Sequence, residues 1–228
     1  MNIKGIVSFL ILCCAFLSLN SYAGIMLSGT RLIFNGNKNE AVITVSNPDK
    51  TSYLIQSWVS VEGKKSPEFI VTPPLFRLDG LSSNALRVVL AKNHLPKDKE
   101  SLFWLNVKAI PPSNPDATDA LLIALNTQIK LIYRPSSLMG PEASTAYKKL
   151  AFNIDAATQQ LIATNSTAYY INLSSIMFNN KNIDNPGIVA PFSETKWKIK
   201  PAATNNHVKW QVINDFGGVT AAESQQLN

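Results

Sequence analysis

Two cations stand among apolar neighbours in this chain: Arg31 in the run TRLIF and Lys130 in the run QIKLIY. A guanidinium supplies a planar fork of donors and an ammonium a point charge, so the pair could grip one carboxylate from two sides. The plainer reading is two long side chains snorkelling on a sheet surface. Other reactive residue types are sparse. The histidines are His94 and His207, each without acidic or histidine neighbours at ligand spacing, so they read as surface loop residues. Neither a metal nor a cofactor is expected. No Gly-x-Ser-x-Gly elbow, Walker loop or Gly-x-Gly-x-x-Gly is present, and the chain does not read as an enzyme.

Charge points the same way. The balance is 21 basic to 15 acidic side chains. The lysines come in pairs (Lys64-Lys65, Lys148-Lys149) or alternate with apolar residues in Lys196-Trp197-Lys198-Ile199-Lys200. That alternation is a strand with one solvated basic face, so no nucleic-acid partner is expected. Asn165-Ser166-Thr167 and Asn172-Leu173-Ser174 spell glycosylation sequons, which Asn-rich turns produce by chance.

The residues that could act must be held by a fold. At 228 residues, 46% hydrophobic and 16% charged, the chain is neither disordered nor low-complexity. Residues 1–23 read as a cleavable signal peptide: a basic start, an apolar run over 5–19, and the small-x-small site Ser21-Tyr22-Ala23. The run is shorter than the roughly 20 residues of a membrane span, so stable membrane insertion is not expected. Cys13 and Cys14 leave with the signal, and the exported chain must fold without a disulfide.

The remainder alternates with period two. Strands are expected over 25–35, 40–47, 53–61, 69–71, 85–91, 102–110 and 120–133, separated by Gly, Asn, Pro and Asp turns. A linker follows over 134–141. A second set covers 150–154, 161–164, 169–177, 195–199 and 207–213. Two β-sandwiches in tandem fit this spacing. The apolar run over 120–133, ALLIALNTQIKLIY, is a ready template for another chain if it lies near a sheet edge.

Residues 95–112, LPKDKESLFWLNVKAIPP, resemble the signature of periplasmic pilus-assembly chaperones of the chaperone–usher pathway. The resemblance continues through GTRLIF (29–34), TPP (72–74), QIKLIYRP (128–135) and INDFGG (213–218). It implies an all-β fold of two immunoglobulin-like β-sandwich domains in an L or boomerang arrangement, residues 24–140 and 141–228. It implies a periplasmic chaperone that binds incomplete pilus subunits by donor-strand complementation, prevents their aggregation and delivers them to an outer-membrane usher. Arg31 and Lys130 would hold the subunit's C-terminal carboxylate. Leu121, Ile123 and Leu125, on the donor strand 120–133, would fill the subunit groove. Glu100, Arg134 and Asp215 would form an inter-domain charge network. The short loop over 113–119 resembles the short-loop subgroup. Self-association that caps the donor strand is an open option. The competing reading is a secreted immunoglobulin-like pilus subunit or adhesin. One geometric conflict stands out: period two puts Leu125 and Lys130 on opposite faces, and a bulge between them would reconcile the two roles.

Overall fold

The computed structural model describes residues 24–92, 94–113, 121–200 and 205–227. The expected signal peptide, with Cys13 and Cys14, lies outside the described residues, as do Ala120 and most of the loop over 113–119.

The first unit contains β1 (Met26–Leu27), β2 (Arg31–Asn35), β3 (Glu40–Asn47), β4 (Tyr53–Val61), β5 (Lys64–Lys65), β6 (Phe69–Thr72), β7 (Leu75–Leu78), β8 (Ser82–Leu90), β9 (Ser101–Ile110) and β10 (Leu125–Arg134). One sheet runs β1-β3-β8-β6, the other β2-β10-β9-β4-β5, with β7 also on β4. Alternate residues of both sheets point inward and make one core, with Val45, Leu86 and Val88 from the first and Phe34, Ile55, Leu105 and Leu131 from the second. Phe69 joins the layers edge-on, 5.3 Å from Phe34 and 4.9 Å from Phe103 between ring centres.

The segment expected as one strand over 25–35 is two. β1 pairs antiparallel with β3 in one sheet, and β2 pairs parallel with β10 in the other. Between them the Ser28 N–H bonds the Thr44 carbonyl, and the chain then changes layer before Arg31. The switch lets a single segment cover an edge of each sheet, which limits unpaired backbone.

The second unit contains β11 (Ala151–Asp155), β12 (Gln160–Asn165), β13 (Ile171–Phe178), β14 (Lys181–Asn182), β15 (Ile188–Val189), β16 (Ser193–Lys198), β17 (Asn206–Val212) and β18 (Glu223–Leu227). Its sheets run β11-β12-β16 and β14-β13-β17-β18, with β15 on β13. Phe152, Leu161, Ile176, Val208 and Trp210 fill the space between. β18 answers how the chain ends without a disulfide. It pairs with β17, and the Gln225 amide exchanges two hydrogen bonds with the Phe152 backbone at 2.8 and 2.9 Å, tying the last strand to the opposite sheet.

The linker is folded. After Arg134 come three short 3-10 turns, Ser136–Leu138, Pro141–Ser144 and Ala146–Lys149, and Ala146, Tyr147 and Leu150 pack on the second core. No helix among the described residues is long and apolar enough to cross a membrane.

Candidate functional site

β10 pairs with β9 from Leu125–Ala109 to Tyr133–Ser101, but with β2 only from Lys130–Arg31 to Arg134–Asn35. Over 125–129, no strand among the described residues takes its other edge. Burial follows the pairing. Ile129 and Leu131 to Arg134 are buried, whereas the strand is exposed from Leu125 to Gln128. Further upstream Leu121 and Ile123 are 84% and 61% exposed, and Leu125 is 57% exposed. The expected strand over 120–133 therefore needs correcting. Regular structure begins at Leu125, because β9 stops at Ile110, one residue past Leu125's partner Ala109, and residues 121–124 are not in a strand.

No bulge interrupts β10. Its register against β9 is continuous, so Leu125 and Lys130 do lie on opposite faces. The inner row Ile129, Leu131, Tyr133 belongs to the sandwich core, and Leu125 extends that row past the rim. The outer row is Asn126, Gln128 and Lys130. Asn126 and Gln128 both donate to Asn106 Oδ1, at 3.2 and 3.0 Å, while Asn106 Nδ2 donates to Ser60 Oγ at 2.8 Å. This buried amide hub fixes the outer face just ahead of Lys130.

Register then places Arg31, Lys130, Trp104 and Ser60 in one row across four adjacent strands. The Lys130 ammonium sits 5.6 Å from the centre of the Trp104 ring. Arg31 Nη1 donates to the Ile213 carbonyl of the second unit at 3.1 Å, and its buried Nε has no hydrogen-bond partner. Among the described residues neither cation has a carboxylate at ion-pair distance. Burial lowers the pKa of both groups; Arg31 lowers Lys130 further, and Asp215 works against the fall at Arg31. Two neighbouring, partly desolvated cations, with no carboxylate at ion-pair distance among the described residues, have the chemistry to hold an external anion.

Behind this row the chain joins its two units through charge. Arg134 Nε donates to Glu100 Oε1 at 2.6 Å, and Nη1 and Nη2 donate to the two Asp215 oxygens at 2.6 and 2.9 Å. Glu100 Oε2 accepts from the Tyr170 N–H at 2.7 Å. Burial raises the Glu100 pKa and Arg134 pulls it back. Burial also acts against the Arg134 charge, but Asp215 and Glu100 outweigh it and hold the guanidinium ionised. The Asp215 loop is itself tied down: Asn214 Oδ1 accepts from the Phe216 and Gly218 N–H groups. Gly217 has φ +86°, and a Cβ there would stand 2.8 Å from Thr30 Oγ1, so this turn needs glycine.

Comparison with known proteins decides the family. Residues 24–139 match the family described as pili and flagellar-assembly chaperone, PapD N-terminal domain, and residues 145–224 match pili assembly chaperone PapD, C-terminal domain. The chain belongs to the pilus-assembly chaperones. Chaperone protein LpfB of Salmonella typhimurium is 38% identical over all of both chains. Chaperone protein FimC of Escherichia coli is 39% identical over 87% of this chain and 82% of its own. Among solved structures, the E. coli chaperone DraB is 35% identical with a TM-score of 0.79, covering 90% of this chain and 97% of its own. SafB, solved in complex with the SafA pilin of Salmonella enterica, is 32% identical with a TM-score of 0.80, covering 92% of this chain and 99% of its own. The family is one of chaperones, not of enzymes.

Within this pilus-assembly chaperone the structure brings Arg31 beside Lys130, and Arg134 between Glu100 and Asp215. It leaves Leu121, Ile123 and Leu125 uncovered. Sequence reasoning missed Trp104 and Asn106. Both occupy the outer face of β9, a signal available from period two once β10 is laid beside it. His207 lies on β17, not in a loop as expected, whereas His94 is in an exposed loop. Asn165 and Asn172 are buried, and the Asn165 amide bonds the Tyr169 and Ala190 carbonyls. Asn165 thus serves the fold rather than glycosylation.

Proposed function

We infer that this chain is an exported, periplasmic chaperone that lends β10 to pilus subunits lacking a strand and passes them to an outer-membrane usher. The observation that carries this reading is the half-paired β10: an open backbone edge over 125–129 that starts at exposed Leu125 and is preceded by exposed Leu121 and Ile123. An incomplete immunoglobulin-like subunit has an apolar groove lined by unpaired backbone, costly in water, and an extended donor satisfies both needs at once. Arg31 and Lys130 give the subunit's carboxyl terminus a fixed anchor, which sets the register of the added strand. Signal removal after Ala23 places the protein in the periplasm. The SafB complex with a pilin supports a pilus subunit as the partner. The test is periplasmic co-purification with a co-expressed pilus subunit. A soluble 1:1 complex is expected from the native chain. From Ile123→Glu, which puts a charge in the groove, aggregated or degraded subunit is expected at equal chaperone level. Normal subunit recovery with that variant would exclude the segment running from Leu121 into β10 as the donor.

A further inference from the structure

The described chain begins at a contact that the donor strand does not explain. The Gly24 N–H donates to Asp49 Oδ2 at 3.2 Å, and the Tyr53 hydroxyl donates to the same oxygen at 2.9 Å. Asp49 is held for this task by its own turn, since its N–H bonds Asn47 Oδ1 at 3.1 Å. Around the contact is an open cavity at the rim of the first sandwich, lined by Ile25, Ala109, Ile123 and Leu125 besides Gly24, Asp49 and Tyr53. A Cβ on Gly24 would lie 3.9 Å from Leu125 Cδ1. Gly24, an acidic side chain and two of the proposed donor residues therefore share one place.

We propose that Asp49, with Tyr53 aligning it, is the seat of the α-ammonium that signal cleavage creates at Gly24, so that processing itself locks the first strand under the donor side chains. The inference rests on cleavage after Ala23, part of the functional reading above. In the precursor Gly24 contributes one neutral amide N–H at this position. After hydrolysis of the Ala23–Gly24 bond, the carboxylate leaves with the signal and Gly24 keeps a cationic amine with three donors. A neutral hydrogen bond becomes a charge-assisted one at the same oxygen. Among the described residues, Asp49 is the one anion lining the cavity, and Tyr53 is the other titratable group there. The lock closes the sandwich rim through β1 and steadies the floor from which Leu125 and Ile123 emerge.

The test uses the full mature chain released from a removable fusion so that it begins at Gly24. The titration of its α-amine is read by NMR on the 13C-methylated amine, which keeps its charge. The amine should titrate about one pH unit above the 7.7–8.0 of ordinary chain ends. Asp49→Asn should return it to that range, as should one additional alanine in front of Gly24. N-terminal acetylation should lower Tm by about 2–4 °C. Because the folded-state pKa is the raised one, this Tm gap should be complete below about pH 7.7 and close as pH rises through the raised value. In the Asp49→Asn background, acetylation should change nothing further. An amine titrating in the ordinary range, or an upward shift that survives Asp49→Asn, would overturn the proposal. Mass spectrometry of the exported protein separately reports where cleavage occurs. A wrong cleavage site and a missing ion pair thus give different results.

Discussion

Lys130 has the Trp104 indole on one side and the Arg31 cation on the other, and both neighbours bear on the carboxylate grip proposed for it. Removing one partner of a desolvated charge pair costs about 2–5 kcal/mol. Lys130→Ala or Arg31→Ala should therefore abolish subunit capture while circular dichroism shows the fold intact. Trp104→Ala removes only the ring under the ammonium, a contact worth about 0.5–2 kcal/mol, so capture should weaken and persist. The charge also carries a pH signature. Burial and Arg31 lower the Lys130 pKa in the free protein, and a bound carboxylate raises it again. Binding of a peptide with a free carboxyl end should thus hold at neutral pH. It should fall as pH rises through that lowered value, which lies below the usual lysine pKa of about 10.4. The folding stability of the free protein moves in the opposite sense, because the folded state favours the neutral amine and losing the proton relieves a penalty. Calorimetric titration between about pH 7 and pH 10 checks the binding limb, and a flat profile would remove Lys130 from the grip.

At the scale of the element, β10 is two strands in one. Its second half is core: Leu131 is fully buried, and Leu131→Ala should lower unfolding free energy by about 2–5 kcal/mol in denaturant titration. Upstream of its first half the side chains touch little. Ile123→Ala should leave stability within about 0.5 kcal/mol yet reduce recovered subunit, a separation that a purely structural segment would not give. Much of this was legible in the sequence. Alternation over 40–47, 53–61 and 102–110 gave β3, β4 and β9 to within a residue, and Arg31 and Lys130 stood out as cations among apolar neighbours. The start of β10 was not legible, since it depends on where β9 ends rather than on any residue of its own. Nor was the layer change before Arg31, because both halves of that segment are extended and only their hydrogen-bond partners differ. β18, reading ESQQL, lacks an apolar alternation and exists through its pairing with β17 and the Gln225 amide. Trp104 stands in the apolar strand expected over 102–110, and only the pairing of β9 with β10 sets it beside Lys130.

For the molecule as a whole, charged and backbone contacts join the two units where the chain crosses from one to the other. Arg134 closes β10 and reaches Asp215 in the second unit. Glu100, from the first, accepts from the Tyr170 N–H, and its own N–H donates to the Ala168 carbonyl at 2.9 Å. Gly36 lets the chain pass this junction: its N–H bonds the Arg134 carbonyl at 2.8 Å, and a Cβ there would stand 2.8 Å from that oxygen. Buried ion pairs are weak evidence for stability, because desolvation offsets attraction, but breaking one by deleting a partner costs about 3–5 kcal/mol. Arg134→Ala leaves the Glu100 carboxylate, 1% exposed, with a backbone N–H as its remaining donor. Its pKa, already raised by burial, must then rise further because Arg134 was holding it down. A carboxyl group with a raised folded-state pKa binds more protons folded than unfolded, so its penalty is absent in acid and grows as pH climbs from the ordinary carboxylate range toward neutrality. The stability deficit of Arg134→Ala should therefore be small near pH 4 and grow as pH rises toward neutrality. Adding Glu100→Gln should remove Glu100's share of that pH dependence, leaving whatever the lost Asp215 pair contributes. Solution scattering at neutral pH should broaden with Arg134→Ala, because Asp215 loses the fork that holds the second unit. A deficit that does not vary with pH, together with unchanged scattering, would mean that the Glu100–Tyr170 contact and the backbone bonds around it hold the two units without the charges.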